Sequence, residues 1–188
     1  MYKKTMLMVL VLVLTLSSVA LGLEKYAEVD FRRPVSGRAV TDTGEIFLLN
    51  EHVLFGFYDR NDVFAFKVTD DFKDQLDKYF EWEKTATENE VEIEREIGEF
   101  HSLMFSGENI IFEAKTYIFS QSPTRHQFVI EFGRTYGMEP PHNEYNDIRP
   151  LYFEFKDVKK LRYWVSDEGV EEGKEIIAEK EEVDALFD

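Results

Sequence analysis

The chain has no cysteine at any of its 188 positions. That excludes disulfide staples, thiolate metal ligands and thiol nucleophiles together. Basic residues are scarce: 22 Lys and Arg stand against 38 Asp and Glu, a formal charge of −16. A nucleic-acid partner needs a basic face that displaces counterions, so none is expected. Such an acidic surface is also repelled by anionic membranes. The nucleophile signatures GxSxG and SxxK are missing, as are HExxH and any Gly-rich phosphate cradle. No two histidines stand at metal-ligand spacing. No cofactor, metal or catalytic residue is therefore assigned.

What the chain has in abundance is aromatic bulk, with 17 Phe and 9 Tyr. That is ample apolar area for one folded domain. Without disulfides, such a domain must rest on its core alone. The acidity reads first as solubility, because net charge speaks to solubility rather than to fold.

The first residues are an address. Lys3 and Lys4 precede a nearly continuous Leu, Val and Met run from Thr5 to Leu16, followed by Ser17, Ser18, Ala20 and Gly22. This is the three-part pattern of a secretory signal peptide over residues 1–22, with cleavage after Ala20 or Gly22. Removing it loses two lysines and no acid, which takes the charge from −16 to −18. The alternative is an uncleaved anchor helix, since Thr5–Leu23 is borderline in length for a span. The body lies outside the cytoplasm either way (periplasm, cell surface or medium). After cleavage no membrane attachment is expected.

Residues 23–37 show weak periodicity, broken by Pro34 and Gly37, and predict a flexible leader or an edge segment. A single β-rich domain is then expected over 38–188. Arg38–Thr41 and Glu45–Leu49 read as strands around an Asp42-Thr43-Gly44 turn. That triplet also carries the catalytic aspartate of aspartic proteases. Their chemistry needs a second aspartate sharing one proton, supplied by a second copy or a dimer mate, and three letters in a hairpin setting are ordinary turn chemistry.

The most legible stretch is His52–Phe80. His52–Tyr58 and Val63–Val68 read as strands around the polar tip Asp59–Asp62. Thr69, Asp70 and Asp71 supply an N-cap and first-turn acids. Phe72, Leu76, Tyr79 and Phe80 form one apolar stripe of a helix over about 70–84. Those aromatics read as core.

Glu90–Ile97 satisfies both periods, and its β-branched residues favour a strand. Its outer face would be Glu90, Glu92, Glu94 and Glu96, a solvated row or a cation-binding one. Phe100–Phe105, Ile110–Phe119 and His126–Gly133 continue a meander. Leu151–Phe155 and Leu161–Val165 read as a last hairpin around Lys156–Lys160. A second helix follows over about 170–187. Val68-Thr69-Asp70-Asp71 and Val165-Ser166-Asp167-Glu168 echo each other, which ordinary strand-to-helix capping explains. The expected fold is α+β and predominantly antiparallel: hairpins curled into a sheet or partial barrel, with two helices packed on it.

Arg134–Pro150 has three prolines and no period, and aperiodic loops of this length are usually functional or disordered. Tyr136, His142, Glu144, Tyr145 and Asp147 are the candidate ligand- or partner-binding residues. A His–carboxylate pair is also the minimum for a general base. His52 and His101 read as strand-end or core residues, and His126 as better placed for chemistry.

The composition favours an exported, non-enzymatic binding or structural protein whose partner is another protein or a small molecule. The alternatives are a carrier of an apolar ligand in an aromatic-lined β cavity, and a hydrolase using the 134–150 loop.

Overall fold

The computed structural model describes residues 23–59, 62–106, 108–137, 144–145 and 148–185. The fold is α+β: a curled antiparallel sheet forming a partial barrel, with three helices against it among the described residues. The strands are β1 (Glu24–Val35), β2 (Arg38–Leu49), β3 (His52–Asp59), β4 (Asp62–Lys67), β5 (Glu94–Ser106), β6 (Glu108–Ser122), β7 (Arg125–Gly137), β8 (Glu144–Tyr145) and β9 (Leu151–Glu154). The helices are α1 (Asp70–Glu88), α2 (Phe155–Trp164) and α3 (Asp167–Asp184).

Pairing runs β6-β5-β4-β3-β2-β1-β9-β7, and β7 pairs β6 along most of its length, so the ladder returns to its start. Two joints are thin. β1 meets β9 only at Arg32↔Tyr152, and β4 meets β5 only at Ala65↔Phe105 and Phe66↔Met104. Helix α1 packs against β5, β6 and β7, and its Phe72, Leu76 and Tyr79 are fully buried. Thr69 caps that helix by accepting from the Phe72 N–H at 3.3 Å. The helix ends at Glu88, four residues beyond the expected limit.

The core is a column of phenylalanines. The alternation of each strand turns Phe31, Phe55, Phe57, Phe112 and Phe153 to one side, and all are essentially inaccessible. Phe66 lies 5.6 Å, ring centre to ring centre, from each of Phe55, Phe72, Phe100 and Phe112. Ring thus packs against ring around Phe66.

Four expectations need correction. Glu24–Val35 is not a flexible leader. It is β1, paired with β2 from Glu24↔Leu48 to Val35↔Arg38, with Val29 and Phe31 buried. The turn between them is Ser36-Gly37, both at positive φ, as a two-residue hairpin demands. Asp42-Thr43-Gly44 is not a turn but lies inside β2. Gly44 is there for close packing, because a Cβ would come within 2.3 Å of the Phe55 ring.

Phe155–Trp164 is a helix, not the second half of a hairpin. Phe155, Val158, Leu161 and Val165 follow helical spacing, and the last three are buried. Finally, β5 starts at Glu94, so Glu90 and Glu92 precede the strand and no four-glutamate row forms. Residues 1–22 lie outside the described residues. Among those described, no helix is long and apolar enough to cross a membrane.

Candidate functional site

All strands run alternately, so their connections fall into two groups. One end of the sheet carries the links through the helices. The other carries Ser36–Gly37, the β3–β4 and β5–β6 turns, and the long connection from β7 to β9. The 134–150 segment thus belongs to the turn end.

At that end the interior changes from apolar to ionic. Phe31 and Asp42 are cross-strand partners, Arg33 stands two residues past Phe31, and Asp59 two past Phe57. Register and period-two alternation therefore place all three on the phenylalanine side, Asp42 level with Phe31 and Arg33 and Asp59 one layer further along the column. Arg33 Nε donates to Asp42 Oδ2 at 2.5 Å, and its Nη1 donates to Asp59 Oδ1 at 3.0 Å and to the Tyr58 carbonyl. Arg149 enters from the return of the long connection. Its Nε donates to Asp59 Oδ1 at 2.6 Å, Nη2 donates to the same oxygen, and its backbone N–H donates to Oδ2 at 3.2 Å.

Two guanidiniums thus meet two carboxylates, with Asp59 only 3% exposed. Removing such charges from water is costly unless every one is paired, and here each is. The network closes the phenylalanine column and ties residue 149 to β3. Within it, Asp42 and Asp59 are each bonded to Arg33 instead of to each other.

The candidate residues divide. Tyr136 lies on β7 opposite Glu144 of β8, and Thr135 opposite Tyr145, so the backbone brings three of the five together in one short hairpin. His142 and Asp147 lie outside the described residues.

His126 is not part of this group. It stands near the start of β7, eleven residues before the last, Gly137. At about 3.3 Å per residue that is roughly 35 Å from the turn end. It is buried, its Nδ1 2.7 Å from Ser120 Oγ, and the Ser120 hydroxyl in turn accepts from the Ile93 N–H at 2.7 Å. The trio clips the chain ahead of β5 onto β6. His52 begins β3 and is exposed, while His101 lies on the exposed face of β5 and is not a core residue.

The pairing residues Arg33, Asp42, Asp59 and Arg149 are absent from the sequence expectations as a site. Asp42 and Asp59 carry turn chemistry in the sequence, and nothing local links them to arginines as far off as 90 residues.

Away from this end, the three helices leave a groove of about 600 Å³ lined by Lys73, Leu76, Phe80, Arg162, Val165 and Glu168. Its cations are largely spent internally, Arg162 on Asp77 and Lys73 on Asp167 at 3.7 Å. Compared with protein-family models, with curated proteins and with solved structures, the chain matches none.

Proposed function

We propose that this chain is a non-enzymatic binding protein acting outside the cytoplasm, and that it recognises its partner with the 134–150 segment at the turn end of the barrel. Tyr136, His142, Glu144, Tyr145 and Asp147 are the contact residues in this reading. The observation that carries it is the double grip of Arg33 and Arg149 on buried Asp59. A long aperiodic connection held by a buried ion network at its return is a presented loop on a rigid scaffold, the usual arrangement of recognition surfaces. Export rests on the Lys3–Gly22 pattern.

The carrier alternative draws no support from the interior, where neighbouring rings occupy the space a ligand would need. The hydrolase alternative draws none from His126, which sits at the far end of β7 and is engaged with Ser120. The test replaces residues 138–147 by a short Gly/Ser linker and leaves Arg149 in place. Native mass spectrometry of protein purified from its own host then reads bound mass. The loop variant should keep its thermal stability and lose that mass.

A further inference from the structure

We propose that the outer face of β5 and β6 carries a divalent transition-metal site formed by Glu99, His101 and Glu113. The site follows from strand register. His101 and Glu113 are direct cross-strand partners, and Glu99 lies two residues before His101 on the same face. All three side chains are exposed, and their donor atoms lie within 4.8 Å of one another. His101 Nε2 is 3.5 Å from Glu99 Oε1 and 3.9 Å from Glu113 Oε2.

Those separations decide the chemistry. Metal–ligand bonds of about 2.0–2.2 Å in a tetrahedron place neighbouring donors about 3.3–3.6 Å apart. The observed spacings reach that range by side-chain rotation, with no movement of the ladder. A nitrogen donor with only two carboxylates suits zinc and its first-row neighbours. Calcium instead collects six to eight oxygens. The imidazole is what separates this trio from an ordinary acidic surface.

The surroundings leave the trio available. Lys115, the cross-strand partner of Glu99, points its ammonium to Glu96 instead, at 3.1 Å. Among the side chains described, which do not include residue 134, His101 is the basic group within ion-pair distance of Glu99 and Glu113. The bulge between Glu96 and Gly98 shifts the alternation so that Glu99 and His101 face outward while Phe100 stays buried. Three protein donors leave one position for water or a partner's ligand.

The test is a calorimetric titration of Zn²⁺ into chelator-treated protein, with nitrogen-15 spectra of the histidine rings. The expected result is a saturable one-to-one isotherm and a shift of the His101 Nε2 resonance, with His52 unmoved. His101→Ala and Glu113→Gln should each weaken binding at least about tenfold. Both positions are exposed, so both variants should fold. Absence of saturation, or binding that His101→Ala leaves unchanged, overturns the proposal.

Discussion

Arg149 and Asp59 are 90 residues apart in sequence and meet through three hydrogen bonds, one from the backbone N–H and two from the guanidinium. This contact converts the last residue but one of an aperiodic segment into part of the barrel. Without it, nothing in the local sequence would fix where the chain re-enters the sheet as β9.

Asp59→Ala should therefore leave one buried guanidinium, that of Arg33, and one half-buried, that of Arg149, short of an anion. The expected loss is about 3 kcal/mol, at the low end for breaking a buried pair because Arg149 keeps some contact with water. A guanidinium chloride titration reads the loss. Amide exchange over 144–151 should rise more than exchange in β5 and β6. Unchanged stability would mean that the network contributes nothing net.

The phenylalanine column gives a second expectation. Phe66→Ala removes the ring at its centre and should cost about 4 kcal/mol, since packed neighbours on several sides relax only partly. The variant should take up a small apolar probe such as benzene, whereas the natural protein should not. Uptake by the natural protein would revive the carrier reading.

How much of this was legible follows from how local each signal is. The His52–Phe80 hairpin and helix could be read because alternation, the Thr69 cap and the apolar stripe all lie within a few residues. β1 could not, because Pro34 and Gly37 look like punctuation and its partner register is set by β2 and the helices beyond. Gly44 reads as a turn residue in the sequence, and only the Phe55 ring above it explains the choice. The Leu151–Val165 stretch was short enough to fit either period, and packing on β1 and β9 decided for helix. The position of the candidate loop was readable from its lack of period. Its anchor was not, since a long-range ion pair leaves no local pattern.

Asp157 supplies a pH-dependent expectation. Burial raises its pKa above the ordinary aspartate value, with Lys156 and Lys160 opposing and Asp30 adding to the rise. Its Oδ1 has no hydrogen-bond partner, and Lys156 Nζ stands 3.8 Å away. A folded-state pKa above the unfolded one means that the native state binds more protons in between, so stability falls as pH rises through that window. Asp157→Asn should therefore raise the melting temperature at pH 7, and the gain should vanish once the solution is acid enough to protonate the carboxyl in both states. A variant less stable at pH 7 would mean that Lys156 and the α2 N-terminus outweigh burial.

Gly173 tests how α3 is held. A Cβ there would lie 2.4 Å from the Tyr26 ring, which cannot withdraw because its hydroxyl donates to the Trp164 carbonyl at 2.8 Å. Gly173→Ala should cost about 1–3 kcal/mol by overpacking. Exchange should accelerate in α3 and at the start of β1, with β6 and β7 unaffected. Uniform acceleration would show that α3 unfolds only with the whole domain.

The central claim is that recognition resides in the segment that Arg149 anchors. Its most direct measurement is native mass spectrometry of the protein from its own host, with residues 138–147 intact and with the same residues replaced by a linker. The intact protein should carry a bound partner or ligand, and the equally stable linker variant should carry none. Bound mass retained by the linker variant, or found with neither form, would contradict the claim.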